Sequence, residues 1–134
     1  MKIVLGMGCD RGTSLQTLET AIDQALAIVG ESRRAVTALA TIDKKNDEAA
    51  LLALSAQYGW PMHFYSAMQL AQVEVPNPSE VVRRHMGTPA VAEAAAMLTA
   101  NCGIEHLILE KHKYHGDDGK NATVSIVRLD NEQG

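Results

Sequence analysis

A glycine-rich segment near the start of the chain places the tightest constraint on its fold. Residues 2–5 form a short apolar run, and residues 6–14 follow it with glycines at positions 6, 8 and 12. The order of strand, turn and helix predicts an α/β protein, in which such a turn lies at the carboxyl end of a strand, where ligands bind. The helix is predicted because apolar side chains recur at steps of three and four residues, at Leu15, Leu18, Ile22, Leu26 and Val29.

The chemistry of this turn supports two interpretations. Glycines let backbone N–H groups approach a ligand, a helix N-terminus attracts anions, and Arg11 can pair with a carboxylate or phosphate. Alternatively, the glycines only make a tight turn, and Thr13 or Ser14 caps the helix. The spacing matches neither the dinucleotide fingerprint nor the phosphate loop. An anion-binding turn and a purely structural turn therefore both remain open.

Composition narrows the class of protein further. A chain of 134 residues predicts one domain, and 46% hydrophobic but only 4% aromatic residues predict an aliphatic core of helices packed on a sheet. The net charge of −4 argues against a nucleic-acid partner. Cys9 and Cys102 fit no zinc or C-x-x-C spacing, which indicates thiols in a reducing compartment. Without a secretory signal or a membrane-length apolar segment, we expect a cytoplasmic protein without a membrane partner.

The remaining pattern predicts a layered α/β/α single domain over residues 1–134, with a mostly parallel, mixed sheet of about five strands. Strands are predicted at residues 35–40, 62–65, 106–109 and 122–127. Helices are predicted from about 47 to 58, from Ser66 to about 70, and from Thr88 to 98. A stiff segment at 75–80 precedes a brief helix capped by Ser79, and residues 130–134 look frayed. The last two strands are expected to be antiparallel, joined by a mobile loop over 111–121 that could cover a ligand.

Two acidic positions are candidates for general-base chemistry. Asp43 follows the second strand directly and could act as a base or ligand clamp. For Asp47 and Glu48 we favour a structural role, stabilising the first turn of the next helix through its dipole. Glu93 lies among alanines and is expected to point to solvent, although its closeness to residues 87–89 leaves open a position facing a ligand.

Two other features favour structural interpretations. His112 and His115 lie near Asp117 and Asp118, but neighbouring lysines would repel a cation, so we predict a solvated loop, no metal and no cofactor. Cys9 lies near a helix N-terminus and Arg11, which would lower the pKa of its thiol. We favour a packing role for Cys9 over a nucleophilic one.

Five segments, taken together, resemble the CobE/CbiG C-terminal family of cobalamin (vitamin B12) biosynthesis. Each segment alone is weak evidence, but the five in order cover nearly the whole chain. They are residues 6–13, 40–48, 75–82, 87–95, and Lys111 with residues 122–126.

The resemblance implies a function in the corrin pathway. Longer CbiG members are cobalt-precorrin-5A hydrolases, which open a ring-fused lactone and release acetaldehyde. Because nothing precedes the first strand, this chain looks more like the free-standing CobE, and we expect it to bind a precorrin tetrapyrrole through the carboxylate arms of the ligand. A lactone hydrolase is the alternative, and a nucleotide- or phosphate-binding domain ranks below both. The implied partners are the intermediate and other enzymes of the pathway.

The resemblance also implies a set of site residues. Backbone donors between Gly8 and Thr13, together with basic side chains, would bind carboxylates, and Asp43 or Glu93 would activate water. The implied ligand-binding residues are Gly6, Gly8, Cys9, Arg11, Gly12, Thr13, Thr41, Asp43, Lys44, Asn77, Ser79, Gly87, Thr88, Glu93 and Lys111.

Overall fold

A five-stranded sheet with helices on both faces makes up the fold, in a computed structural model that describes residues 1–74 and 91–129. The strands are β1 (Ile3–Cys9), β2 (Val36–Ile42), β3 (Met62–Tyr65), β4 (Leu107–His115) and β5 (Asn121–Arg128). The described helices are α1 (Leu15–Val29), α2 (Ala49–Tyr58), α3 (Ala67–Ala71) and α4 (Val91–Ala100). Short 3-10 turns occupy Arg33–Ala35, Asp43–Lys45 and Ile104–His106.

The sheet is mixed and its strand order is β3-β2-β1-β5-β4. β1 runs parallel to β2, and β2 runs parallel to β3. β5 runs antiparallel to both of its neighbours, β1 and β4, so the predicted antiparallel final pair is confirmed. Parallel pairings make up half of the ladder, and the two kinds of pairing divide the sheet at β1.

The helices form two outer layers, which confirms the α/β/α arrangement. α1 and α2 cover one face, where Leu18, Ile22 and Leu51 pack on the β1 side chains Ile3 and Leu5. α3 and α4 cover the other face, with a core that is smaller and rich in alanine. Its buried members include Val4, Ala40, Leu70, Ala94, Ala95, Met97 and Val127.

The ends of the helices follow the predicted local chemistry. The Ser14 side chain accepts a hydrogen bond from the Thr17 N–H and caps α1, whose C-cap Gly30 has a φ of 72°. Ser66 caps α3 in a reciprocal arrangement with Gln69. The two N-terminal caps depend on residues a few positions apart, and they confirm the helix starts predicted at Thr13 or Ser14 and at Ser66.

The first strand extends further than its apolar residues indicate. β1 continues through Cys9, so Gly6 and Gly8 are strand positions, and the turn comprises only residues 10–14. Gly6 is required by packing, because a Cβ there would lie 1.8 Å from the Ala92 carbonyl oxygen of α4. The expectation that these two glycines shape a turn is wrong.

The predicted loop over residues 111–121 is also wrong in its first half. β4 continues to His115, and residues 112–115 pair with β5, leaving a turn at residues 116–120. These polar residues form a strand because pairing with β5 satisfies their backbone groups. The expected mobile loop therefore shrinks to that short turn.

Several predictions concern residues outside the described part of the chain. They are the stiff segment at 75–80, the Ser79-capped helix, the helix start at Thr88, the frayed end at 130–134, and the implied ligand contacts Asn77, Ser79, Gly87 and Thr88.

Candidate functional site

The β1–α1 turn binds carboxylates, and these carboxylates belong to the protein itself. The Arg11 guanidinium donates to Asp47 Oδ1 at 2.7 Å, to Glu48 Oε1 at 3.2 Å, and to the Lys44 carbonyl oxygen. The Arg11 guanidinium lowers the pKa of Asp47, mainly through this hydrogen bond. α2 begins at Ala49 with Glu48 as its N-cap and no acidic residue in its first turn, so the predicted position of Asp47 and Glu48 inside that turn is wrong.

The backbone donors of the same turn are also occupied. The Gly12 N–H donates to Glu48 Oε2 at 3.0 Å, and the Ser14 N–H donates to Asp118 Oδ2 at 2.9 Å. The Asp118 carboxylate also accepts from the Lys120 N–H, and these two backbone bonds lower its pKa to about 2. The Thr13 hydroxyl donates to the Asp10 carbonyl oxygen. The turn therefore has anion-binding chemistry, and Glu48 and Asp118 already use it.

Thr41 and Cys9 lie near this turn and point into the protein. Thr41 is fully buried, and its hydroxyl donates to the Met7 carbonyl oxygen at 2.7 Å. Cys9 is half-buried against the core beneath α1 and α2. Burial raises the pKa of its thiol, with Lys45 acting in the opposite direction. The expectation of a lowered thiol pKa is wrong because burial outweighs the nearby positive charge.

Asp43 and Lys44 lie exposed in the 3-10 turn at the carboxyl end of β2. Within residues 1–74 and 91–129, no hydrogen bond or ion pair joins Asp43 to Glu93. The two candidate bases belong to different elements, since Asp43 follows β2 and Glu93 lies in the first turn of α4.

Glu93 is buried, which corrects the expectation that it points to solvent. Its relative exposure is 1%, because α4 packs closely on the backbone of Gly6 in β1 and on the alanine side chains of β2. Oε1 lies 3.5 Å from Lys111 Nζ, and Oε2 is buried without a hydrogen-bond partner among the described residues. Desolvation raises the pKa of Glu93, and the Lys111 ammonium opposes this shift. An unsatisfied buried carboxylate oxygen is costly and points to a missing partner.

A row of three residues crosses the sheet on the α4 face, and we name it the Gly8 row. The β1–β5 register pairs Gly8 with Thr123, and the β5–β4 register pairs Thr123 with Lys113. Paired residues point to the same face, and that face is the α4 side because Lys111, two residues before Lys113, reaches Glu93. Gly8 and Thr123 are half-buried, and Lys113 is exposed. The row thus lies next to the buried Glu93–Lys111 pair.

Sequence reasoning missed two members of this row, Thr123 and Lys113. The sequence predicts a solvated loop at Lys113 and indicates only a strand position at Thr123. The available signal was the alternation over residues 111–115, in which lysines alternate with His112 and Tyr114. That alternation is typical of a strand with two different faces.

The histidines of this region have separate partners. His112 lies on the α1 side of the sheet, with its Nε2 2.7 Å from Gln24 Oε1, and His115 Nδ1 lies 2.9 Å from Asn121 Oδ1. Across the described residues, His, Cys, Asp and Glu side chains do not gather in threes that could hold a metal ion. None of the described helices combines the length and apolar character needed to span a membrane.

A pocket of about 240 Å³ lies on the opposite face, beside the start of α1. Two of its polar residues are hydrogen-bonded to each other, since the Ser14 N–H donates to Asp118 Oδ2. It is lined by Ser14, Gln16, Thr17, Thr20, Tyr114, Asp117 and Asp118.

The family of the chain follows from a comparison with known protein families. Residues 3–127 match the model of the family described as "Cobalamin synthesis G C-terminus". The chain belongs to this family. The predicted membership of the CobE/CbiG C-terminal family of cobalamin biosynthesis is confirmed.

Curated relatives carry names from the same pathway. The chain is 39% identical over 127 residues to "Cobalt-precorrin-5A hydrolase" of Priestia megaterium, covering 95% of this chain and 32% of that protein. It is 33% identical over 100 residues to "Protein CobE" of Sinorhizobium sp, covering 73% of this chain and 65% of that protein. The chain therefore spans less than two thirds of the length of either relative.

Solved structures of this cobalamin family share the fold. The crystal structure of CobE, a protein from the cobalamin biosynthetic pathway, matches with a TM-score of 0.80 and 33% identity, covering 96% of this chain and 90% of that one. The cobalamin biosynthesis protein chiG from Agrobacterium tumefaciens str. C58 matches with a TM-score of 0.68 and 26% identity, covering 96% and 99%.

Proposed function

We propose that this cobalamin-family protein binds a precorrin tetrapyrrole on the α4 face of the sheet, through the carboxylate arms of the ligand. The observation that carries the proposal is the buried Glu93 carboxylate, with one oxygen beside Lys111 and the other without a partner among the described residues. A polar group left in this state within a folded domain is typical of a ligand site.

The basic residues of this face suit a polycarboxylate. Lys113 is exposed at the end of the Gly8 row, and Lys111 lies one step further along the same strand. An ammonium group is a compact charge that binds a carboxylate without a fixed orientation, which suits several flexible acetate and propionate arms. The Thr123 hydroxyl lies between the lysines and Gly8 and adds a donor to the same surface.

Glu93 requires a different part of the ligand. A carboxylate arm would be repelled by ionised Glu93, whereas an N–H or O–H group would donate to Oε2 and remove the cost of its burial. The site therefore combines lysines for the arms with one acceptor for a donor group. Asp43 and Lys44 lie exposed at the carboxyl end of β2 and are proposed to contact the far edge of the same ligand. Enzymes that make or consume the intermediate are the proposed partners.

The β1–α1 turn affects the proposed ligand site only indirectly. Its groups are bonded to Asp47, Glu48 and Asp118, so the turn fixes the carboxyl end of β1 and thereby the position of Gly8.

Anaerobic titration of the protein with a carboxylate-bearing precorrin tests the proposal. Pigment retained after desalting is measured by absorbance, and its mass is determined. The informative variant is Lys113→Glu, and its matched control is Lys2→Glu, an exposed lysine before β1. Both variants change the net charge equally, so a difference between them reports position and not overall charge.

We expect Lys113→Glu to weaken binding by about tenfold or more, because it replaces an attractive contact with a repulsive one. Lys2→Glu should bind like the wild type at moderate salt. Equal losses in both variants would contradict a site at the Gly8 row, and no retained pigment with the wild type would contradict binding itself.

A lactone hydrolase is the second candidate, and the state of Glu93 favours it. A buried carboxylate with a raised pKa and an unoccupied oxygen can take a proton from water. The resulting hydroxide would add to the lactone carbonyl, the ring C–O bond would break, and the departing oxygen would regain a proton. One curated relative is named as a cobalt-precorrin-5A hydrolase.

Incubation with a lactone-bearing precorrin distinguishes the two candidates. Opening the lactone adds the elements of one water to the pigment. Acetaldehyde then leaves only if the carbon that bears the freed hydroxyl becomes its aldehyde carbonyl, as the C–C bond to the ring breaks and the pigment takes up a proton. Hydrolysis therefore predicts a pigment that has gained water, with or without the loss of acetaldehyde to the filtrate, whereas binding alone leaves the mass unchanged.

Glu93→Gln should abolish lactone opening if Glu93 is the base, and Asp43→Asn should abolish it if Asp43 is the base. Lactone opening that survives in both variants would contradict the two assignments.

A further inference from the structure

Resting on the proposed function, we propose that Gly8 lacks a side chain so that the macrocycle of the ligand can lie against the backbone of β1. Gly8 would then determine which ligands fit, by setting how closely the macrocycle approaches the sheet.

The contrast between Gly6 and Gly8 carries this inference. A Cβ on Gly6 would lie 1.8 Å from the Ala92 carbonyl oxygen and 3.0 Å from the Ala96 Cβ, so the protein itself requires glycine there. Among the described residues, a Cβ on Gly8 would meet only the Thr123 Cβ, at 3.8 Å, which is ordinary van der Waals contact. The packing of the described residues therefore requires glycine at position 6 and not at position 8.

The backbone of Gly8 offers no other reason for glycine. Its φ is not positive, unlike that of Gly12, Gly30 and Gly59, and it pairs regularly with Thr123 in the antiparallel ladder. Glycine within a strand weakens the strand, because it has more freedom to lose on folding and no side chain to pack. Glycine inside a strand often marks a bulge, a tight bend or a place where a ligand or another backbone approaches closely. The register of β1 with β5 is regular at Gly8, which leaves close approach as the reason that we infer.

The unpartnered oxygen of Glu93 points independently to a ligand in this region. Glu93 pairs with Lys111, and Lys111 precedes Lys113 of the Gly8 row by two residues on the same face. Neighbouring positions on one face of a strand lie about 7 Å apart. Gly8 and Lys113 are separated by two strand spacings across β5, about 10 Å. A tetrapyrrole that lies over Gly8 can therefore reach Lys113 with its carboxylate arms, and its rim can reach the neighbouring Glu93.

In this arrangement different groups contact different parts of the ligand. The lysines bind the charged arms at its rim, and the strand backbone at Gly8 contacts one face of its macrocycle. A side chain at position 8 would stand between the macrocycle and the sheet, and flexible polar groups at the rim could not compensate for that displacement.

Substitution of Gly8 by larger residues tests the inference. Gly8→Ala and Gly8→Val are compared with the wild type in thermal unfolding and in the precorrin titration, with Gly6→Ala as the matched glycine control. We expect Gly8→Val to retain or raise the melting temperature, since β-branched residues suit strands, and to weaken binding by about tenfold or more. Gly8→Ala should weaken binding less, and Gly6→Ala should lower the melting temperature.

The outcomes separate this inference from the function on which it rests. If the wild type binds and Gly8→Val binds within about twofold of it, the role of Gly8 is overturned and the proposed function stands. If Gly8→Val loses as much thermal stability as Gly6→Ala, Gly8 is a packing residue, and the inference is again overturned. If the wild type binds no precorrin, the proposed function fails, and the inference fails with it.

Discussion

Two regions of this protein handle carboxylates in opposite ways. In the β1–α1 turn, Arg11 and the Gly12 and Ser14 N–H groups are matched by the protein carboxylates of Asp47, Glu48 and Asp118. On the α4 face, Glu93 is buried with one oxygen beside Lys111 and the other without a partner among the described residues. The turn has the more familiar anion-binding pattern, yet its groups are satisfied.

An anion-binding motif shows which chemistry a segment can perform. It does not show whether the bound anion comes from a ligand or from the protein itself. A satisfied cluster stabilises the fold, whereas an unsatisfied buried group keeps a cost that a ligand can remove. We therefore assign the turn a structural role and propose the α4 face as the ligand site. Four substitutions test this contrast between the β1–α1 turn and the α4 face, and they are given in order of decreasing expected effect.

Gly6→Ala should have the largest effect, because it disturbs the seating of α4, and with it Glu93, on the sheet. The added methyl group would overlap the Ala92 carbonyl oxygen, and backbone cannot move aside as a flexible side chain can. We expect a loss of about 3 kcal/mol in the free energy of unfolding, measured by urea denaturation. Gly8→Ala is the control and should change stability by less than about 0.5 kcal/mol. Equal losses would remove the distinction between the two glycines.

Glu48→Ala should have the next largest effect, because it breaks the satisfied region. Glu48 is 5% exposed and accepts from both the Gly12 N–H and Arg11. We expect a loss of about 2 kcal/mol in the free energy of unfolding. Asp47→Ala removes an exposed partner of the same arginine and should cost less. A larger loss in Asp47→Ala would show that the buried carboxylate does not hold the turn.

Glu93→Gln should have a smaller effect of opposite sign. Burial raises the pKa of Glu93 above its ordinary value of 4.5, so at neutral pH the ionised form opposes folding. Removing the charge should raise the free energy of unfolding at neutral pH, by less than Glu48→Ala lowers it. The advantage should disappear as the pH falls below 4.5, where wild-type Glu93 is protonated in both folded and unfolded states.

Urea denaturation over a pH series measures this effect, with Glu105→Gln as an exposed control. A Glu93→Gln variant less stable than the wild type at neutral pH would mean that the Lys111 pair outweighs burial. The α4 face would then be a satisfied region like the turn.

Asp118→Asn should have the smallest effect, because the carboxylate is exposed. Its two backbone hydrogen bonds lower the pKa to about 2, so its stabilisation is present above the ordinary value of 3.8 and is lost as the pH falls toward 2. The variant should therefore unfold at a lower temperature than the wild type near neutral pH, and the difference should close in acid. Asp117→Asn, at the exposed neighbouring position, is the control in the same thermal scans. A gap that persists in acid would contradict this account.

Features that depend on neighbouring residues could be predicted from the sequence. The α/β class, a cap at Thr13 or Ser14, the start of α3 at Ser66 and the strand Met62–Tyr65 follow from periodicity and local hydrogen bonding. Family membership also followed from ordered motifs along the chain. Such signals need no knowledge of distant contacts, because each is complete within a few residues.

The burial and pairing of the site residues follow from tertiary contacts and could not be predicted from the sequence. Glu93 is buried because Gly6 admits α4 close to the sheet, and Lys113 joins Thr123 because β4 extends past its apolar residues. Gly12 is satisfied by a residue 36 positions away, and Ser14 by one 104 positions away. Burial and pairing of charges depend on which distant segments pack together, and no local pattern of residues contains that information.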